Sequence, residues 1–271
     1  MSSTNPGEPA TSASSRVQLS FERLLSRSSL IAGAALFLAA VLAWRWLLVS
    51  DMGAMDSHGM GTMAMEAWTA AYLIPAFVMW TVMMVAMMLP SAAPMILLHA
   101  RIDRAVSPAR RLIHTLLFAL AYLFVWSAFS AGAALAQALL IDLGLLSSAS
   151  LALGDRAPAA ALLVGAALYQ LSPFKAACLS QCRSPIHFVM QFWSPGISGT
   201  LRLGLVHGLF CVGCCWGLML LLFVAGVMNL AWIALLAAIV FAEKLTPPKW
   251  RISTLIAGLL FAGAVALLAS G

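Results

Sequence analysis

His207, Cys211, Cys214 and Cys215 lie in one apolar stretch, LRLGLVHGLFCVGCCWGLMLLLFVAGVMN, from Leu201 to Asn229. At about 100° per residue, an α-helix places all four on a stripe roughly one quadrant wide. Thiolate with imidazole suits Cu(I), Zn(II) or an iron site. A second pair, Cys178 and Cys182, is four residues apart and shares a face if helical. Lys175 and Arg183 bracket it, and nearby cations favour the thiolate that binds metals or attacks disulfides. Each cysteine taken singly also reads as a small buried hydrophobe. Three within five residues, with a histidine in line, weigh towards function. Carboxylates are sparse, which makes Mg and Ca poor candidates. Glu243, at the cytoplasmic end of the sixth span, is a candidate carboxylate partner or outer acceptor for His207. The alternative is an ordinary interfacial pair with its neighbour Lys244.

A further set of soft ligands precedes these. Ser50 to Glu66 reads SDMGAMDSHGMGTMAME and contains Met52, Met55, His58, Met60, Met63 and Met65. The segment is too polar and glycine-rich to form a core, and thioether with imidazole suits Cu(I). The bland reading is a methionine-containing loop at a membrane interface. Met79, Met83 and Met87 then form one helical line, with Met84 and Met88 beside it. Packing explains a methionine stripe in an apolar helix without any metal. Met83 and Met87 are nevertheless secondary metal candidates. Thioethers bind Cu(I) well and Zn(II) poorly, so copper leads over zinc and iron.

The elements that must position these residues are dictated by composition. The 271 residues are 63% hydrophobic and 9% charged, too few charges to clothe a soluble domain. Several apolar runs reach the roughly 18 to 20 residues needed to cross a bilayer as a helix. Without period-2 alternation a barrel is excluded, which leaves an all-α, polytopic helical membrane protein. The runs predict about seven transmembrane helices: Leu30–Val49, Ala67 to about Leu89, Leu112–Ile141, Pro158 to Leu171 or Ala177, Leu201–Asn229, a short one at Leu230–Ala242, and Ile252–Ser270. Pro90 is expected to kink or end the second. His99 to Arg111 reads as a cytoplasmic loop, and His114 as an interfacial residue.

Residues 1–28 read as a Ser-rich disordered cytoplasmic tail, and 29–271 as a single membrane domain with 50–66 as an external Met/His-rich loop. Of 15 Lys and Arg, all but Arg45 and Arg156 then fall on one side. That asymmetry places the N-terminus in the cytoplasm and the C-terminus outside. The formal charge of +6 resides in these flanks, so nucleic acid is not an expected partner. Five cysteines in or beside apolar segments do not form a secreted disulfide framework.

MMVAMMLPSAAPM (Met83–Met95), YQLSPFKAACLSQCRSP (Tyr169–Pro185), HGLFCVGCCWGLM (His207–Met219) and EKLTP (Glu243–Pro247) together resemble a bacterial family described as predicted metal-binding integral membrane proteins of unknown function. The resemblance covers most of the chain from about Ala67. It implies a multi-pass protein of the bacterial inner membrane that binds a metal ion, without naming the metal.

Three functions remain in play. The first is handling of Cu(I), by transport, delivery or storage, with a membrane metalloenzyme or metallochaperone as partner. The second is a membrane thiol–disulfide oxidoreductase that uses Cys211 with Cys214 and Cys178 with Cys182. The third is a non-catalytic assembly subunit. There is no Gly-rich phosphate loop and no catalytic triad, so an enzyme is the less favoured class.

Overall fold

The computed structural model describes residues 30–49, 67–102, 107–147 and 151–270. The described chain is helical throughout: α1 (Leu30–Val49), α2 (Ala70–Ile102), α3 (Pro108–Asp142), α4 (Arg156–Gln170), α5 (Pro173–Arg183), α6 (Pro185–Phe192), α7 (Gly196–Leu220), α8 (Leu222–Ala225), α9 (Leu230–Leu245) and α10 (Ile252–Ala269). One isolated bridge, Leu146 to Leu153, is the only strand-like pairing among the described residues.

Helices α1, α2, α3, α10 and the stretch from α7 through α8 are each long and apolar enough to cross a membrane. A sixth candidate is the pair α4 and α5, bent by 63°. Two features make that bend. Pro173 opens α5, and the Ser172 side chain caps it by accepting from the Lys175 amide at 3.1 Å. The expected sixth span is α9, which has 16 residues. At 1.5 Å per residue it is about 24 Å long, short of a hydrocarbon core of about 30 Å. Seven spans are therefore not what helix length alone yields.

The second span also differs from expectation. α2 runs on through Pro75, Pro90 and Pro94 to Ile102 instead of stopping near Leu89. Pro90 has no amide to offer Ala86, but the Trp44 indole of α1 donates to the Ala86 carbonyl at 3.1 Å. In the same turn the Met88 carbonyl accepts from the Ser91 hydroxyl at 2.8 Å and the Tyr122 hydroxyl at 3.2 Å. Neighbours satisfy the freed backbone, and the helix survives its prolines. His99 is consequently helical and buried, not part of a loop, and Arg111 and His114 of α3 are buried as well.

α7 is the central element. Gly204 and Gly208 face α3, where an added Cβ would lie 2.5 Å from the Phe118 carbonyl oxygen and 2.9 Å from Val125 respectively. Gly213 and Gly217 face α5 and α4, with Cys178 Sγ at 2.8 Å and the Tyr169 ring at 2.9 Å from the same positions. Two small-residue stripes thus let one helix pack closely on two sides. α3 also packs on α2, and α10 on α4. Gly204→Ala is expected to force α7 off α3 and to cost about 1–3 kcal/mol in thermal unfolding, because the obstacle is backbone. Gly165→Ala, with nothing within 4 Å, serves as the neutral control.

Candidate metal centre

The stripe of α7 faces α2, α3, α9 and the end of α5. Cys211 is at its centre, fully buried. Its Sγ is 3.1 Å from the Tyr122 hydroxyl and 3.0 Å from Lys244 Nζ. The Cys214 and Cys215 thiols turn back along the helix and donate to the Cys211 carbonyl at 3.1 and 3.0 Å. Cys215 Sγ is also 3.8 Å from Met88 Sδ on α2. Cys182, brought in by α5, interacts with Cys214. Cys211 thus has three further thiols near it, Cys182, Cys214 and Cys215, with the Met88 thioether beside the last.

His207 lies one helical turn before Cys211 and is buried. Tyr122 stacks on it at a ring-centroid distance of 5.6 Å, and Phe188 meets it edge-on at 5.3 Å. Its Nδ1 is buried with no hydrogen-bond partner. An unpaired buried nitrogen is costly, and a bound cation is one way to satisfy it. A cavity of about 70 Å³ reaches this point, lined by Ser91, Pro94, Met95, Cys182, Arg183, Pro185, His207, Lys244 and Leu245. It gives Cys182 and His207 access to the bundle end where α2, α5 and α9 finish and α3, α6 and α7 begin.

Cys178, predicted beside the others, is placed elsewhere. It packs on Gly213, roughly 160° around α7 from Cys211. Glu243 is not at His207 either, nor does it pair with Lys244. Its carboxylate accepts from Lys175 at 2.6 Å and from Ser253 at 2.7 Å, with Gln170 at 3.4 Å, while Arg183 donates to its backbone carbonyl at 2.7 Å. Gln170 completes this buried knot by accepting from Lys175. Lys175 is thus held by Glu243 instead of serving the thiols. The cation beside a sulfur is Lys244, which successive α9 positions turn about 100° away from Glu243.

Met83 and Met87 are buried on α2, as are Met79 and Met84, but Met88 is the methionine in contact with a thiol. Met52, Met55, His58, Met60, Met63 and Met65 lie outside the described residues. Among the described residues, no three His, Cys, Asp or Glu side chains close on a single point as a finished metal site. The cause is visible: Cys214 and Cys215 are turned onto a carbonyl, and Cys211 is engaged by Lys244 and Tyr122.

Sequence reasoning missed Tyr122, Lys244, Met88 and Ser91. Only Met88 carried a signal, as part of the second methionine line. Tyr122→Phe removes the hydroxyl that orients Cys211 while keeping the ring on His207. The variant is expected to fold normally and to hold metal about 10–100-fold more weakly, read by competition with a chelator.

A family model described as PpoB2, a copper chaperone, matches residues 77–267. Neither a curated protein nor a solved structure matches the chain.

Proposed function

The chain belongs to the PpoB2 copper chaperone family, and from that premise we propose that it holds Cu(I) inside a bilayer and passes it to a copper-requiring protein. The observation that carries this reading is the group of Cys182, Cys211, Cys214 and Cys215, with Lys244 on Cys211, beside a cavity lined by Cys182, Lys244 and His207, whose Nδ1 is buried and unpaired. Cys211 is the central ligand. Cys214 joins it by leaving the Cys211 carbonyl, and neutral His207 completes the set. Met88 beside Cys215 adds a thioether, which favours copper over zinc or iron.

The helices cross the bacterial inner membrane with the N-terminus in the cytoplasm. Arg101, Arg110, Arg111, Arg183, Arg202, Lys249 and Arg251 lie at the bundle end where the cavity opens. An excess of Lys and Arg marks the cytoplasmic side, so the cavity mouth faces the cytoplasm. Val49 and Ala67, which flank the Met/His-rich stretch, are at the opposite end. The buried ridge Met79, Met83, Met84, Met87 and Met88 runs from that end towards the thiols, as a route between an external copper source and the centre would require. A membrane copper enzyme, or a metallochaperone, is the delivery partner.

The test is direct. The full chain is purified from copper-supplemented cells, and bound metal is quantified for wild type and for the Cys211→Ser/Cys214→Ser/Cys215→Ser variant. Stoichiometric copper in the first and none in the second is expected, together with activation of an apo copper enzyme by the loaded wild type. A metal-free protein with a reversible two-electron thiol couple would instead identify an oxidoreductase.

A further inference from the structure

Among the described residues, no carboxylate pairs with the Lys244 amine. Its residue is 8% exposed, and Glu243, next in the chain, is committed to Lys175 on another face of α9. The partners of Lys244 Nζ are the Ser91 hydroxyl at 2.8 Å and Cys211 Sγ at 3.0 Å. Isolated charge is expensive in such a place, so the net charge of whatever assembles around Cys211 must suit the cation that touches it.

We infer that Lys244 sets the charge selectivity of the thiol site, making it a site for a monovalent soft cation and not for a divalent one. This deepens the copper reading and rests on it. Cu(I) or Ag(I) held by two thiolates leaves one net negative charge, which the Lys244 ammonium neutralises. Zn(II) on the same two thiolates is already neutral, and Lys244 then leaves a buried positive charge uncompensated. At the short distances and reduced dielectric of this interior, one charge is worth far more than at a surface. Neutral His207 changes neither sum. Lys244 therefore does not bind the metal; it acts on which metal the cysteines retain. Its place near the C-terminal end of α9 adds to its own stability as a cation.

The experiment compares wild type, Lys244→Gln, Lys244→Met and Lys244→Arg, each as the full chain in lipid nanodiscs. Cu(I), Ag(I) and Zn(II) affinities are measured separately by chelator competition. Lys244→Gln keeps a donor for Ser91, and Lys244→Met supplies a second neutral variant should the first fold poorly. The expected result is a loss of at least about tenfold in Cu(I) and Ag(I) affinity in the neutral variants, with Zn(II) affinity unchanged or higher, and wild-type selectivity restored in Lys244→Arg. Equal weakening for all three metals, or undiminished Cu(I) binding, overturns the inference. Failure of the underlying reading looks different: wild type itself binds Cu(I) no more tightly than Cys211→Ser does.

Discussion

Cys211→Ser is expected to weaken Cu(I) binding by more than about 100-fold while leaving the fold intact, a larger loss than an outer-sphere change produces. The reasoning is geometric and chemical. The Tyr122 hydroxyl, Lys244 Nζ and the backbone-anchored thiols of Cys214 and Cys215 all meet at the Cys211 position. A serine hydroxyl there still bonds Tyr122 and Lys244, and the Cys211 backbone carbonyl that receives the other two thiols is unchanged. What disappears is the soft, polarisable sulfur that Cu(I) prefers, replaced by a hard oxygen. Cys178→Ser is the matched control. Its thiol packs against Gly213 on the far side of α7, so copper binding should survive with a small loss of stability. Chelator competition on both variants, with thermal unfolding alongside, checks the pair. Equal copper loss in the two would place the centre on the wrong side of α7.

The largest effect on stability is expected at Lys175 and Glu243, not at the thiols. Both side chains are almost wholly buried, with Nζ and Oε2 2.6 Å apart, and Gln170 and Ser253 add further hydrogen bonds to the pair. Lys175→Met leaves a carboxylate in a water-poor interior without its cation, and Glu243→Leu leaves the cation without its carboxylate. Each should cost about 3–5 kcal/mol. The double variant Lys175→Met/Glu243→Leu removes both charges and should recover most of that loss. The pair fastens α5 to α9, so the single variants should also let Cys182 drift from Cys214 and weaken copper retention. Unfolding of the three variants in detergent decides the matter. A double variant no better than the worse single variant would show that the knot contributes shape instead of charge pairing.

Much of the chemistry was readable before any tertiary contact was known. The spacing 207, 211, 214, 215 is a property of any helix, and the apolar runs demanded helices. That reasoning correctly put His207 and the three following cysteines on one buried face. Cys178 and Cys182 look equivalent by the same rule, one turn apart on α5. They part because α5 crosses α7: Cys182 reaches Cys214, while Cys178 settles into the gap left by Gly213. No local pattern contains a crossing.

Proline misled for a related reason. Pro90 breaks an isolated helix, yet α2 continues because Trp44, distant in sequence, supplies the missing donor. The charges misled most. Lys175 and Arg183 bracket the cysteines in sequence, and Glu243 and Lys244 are neighbours. In the folded protein Lys175 and Arg183 both turn to Glu243, and Lys244 turns alone to Cys211.

Composition and periodicity by themselves determined the all-helical class, the solvent the helices suit, and the soft-ligand character of the α7 stripe. These depend on the local geometry of the chain and on the transfer energies of side chains, which each residue carries with it. Only the tertiary structure decided which cysteines lie near one another, which methionine touches a thiol, and which lysine faces one. Those choices follow from helix crossings permitted by Gly204, Gly208, Gly213 and Gly217, and from the need of every buried charge to find a partner wherever the fold brings one within reach.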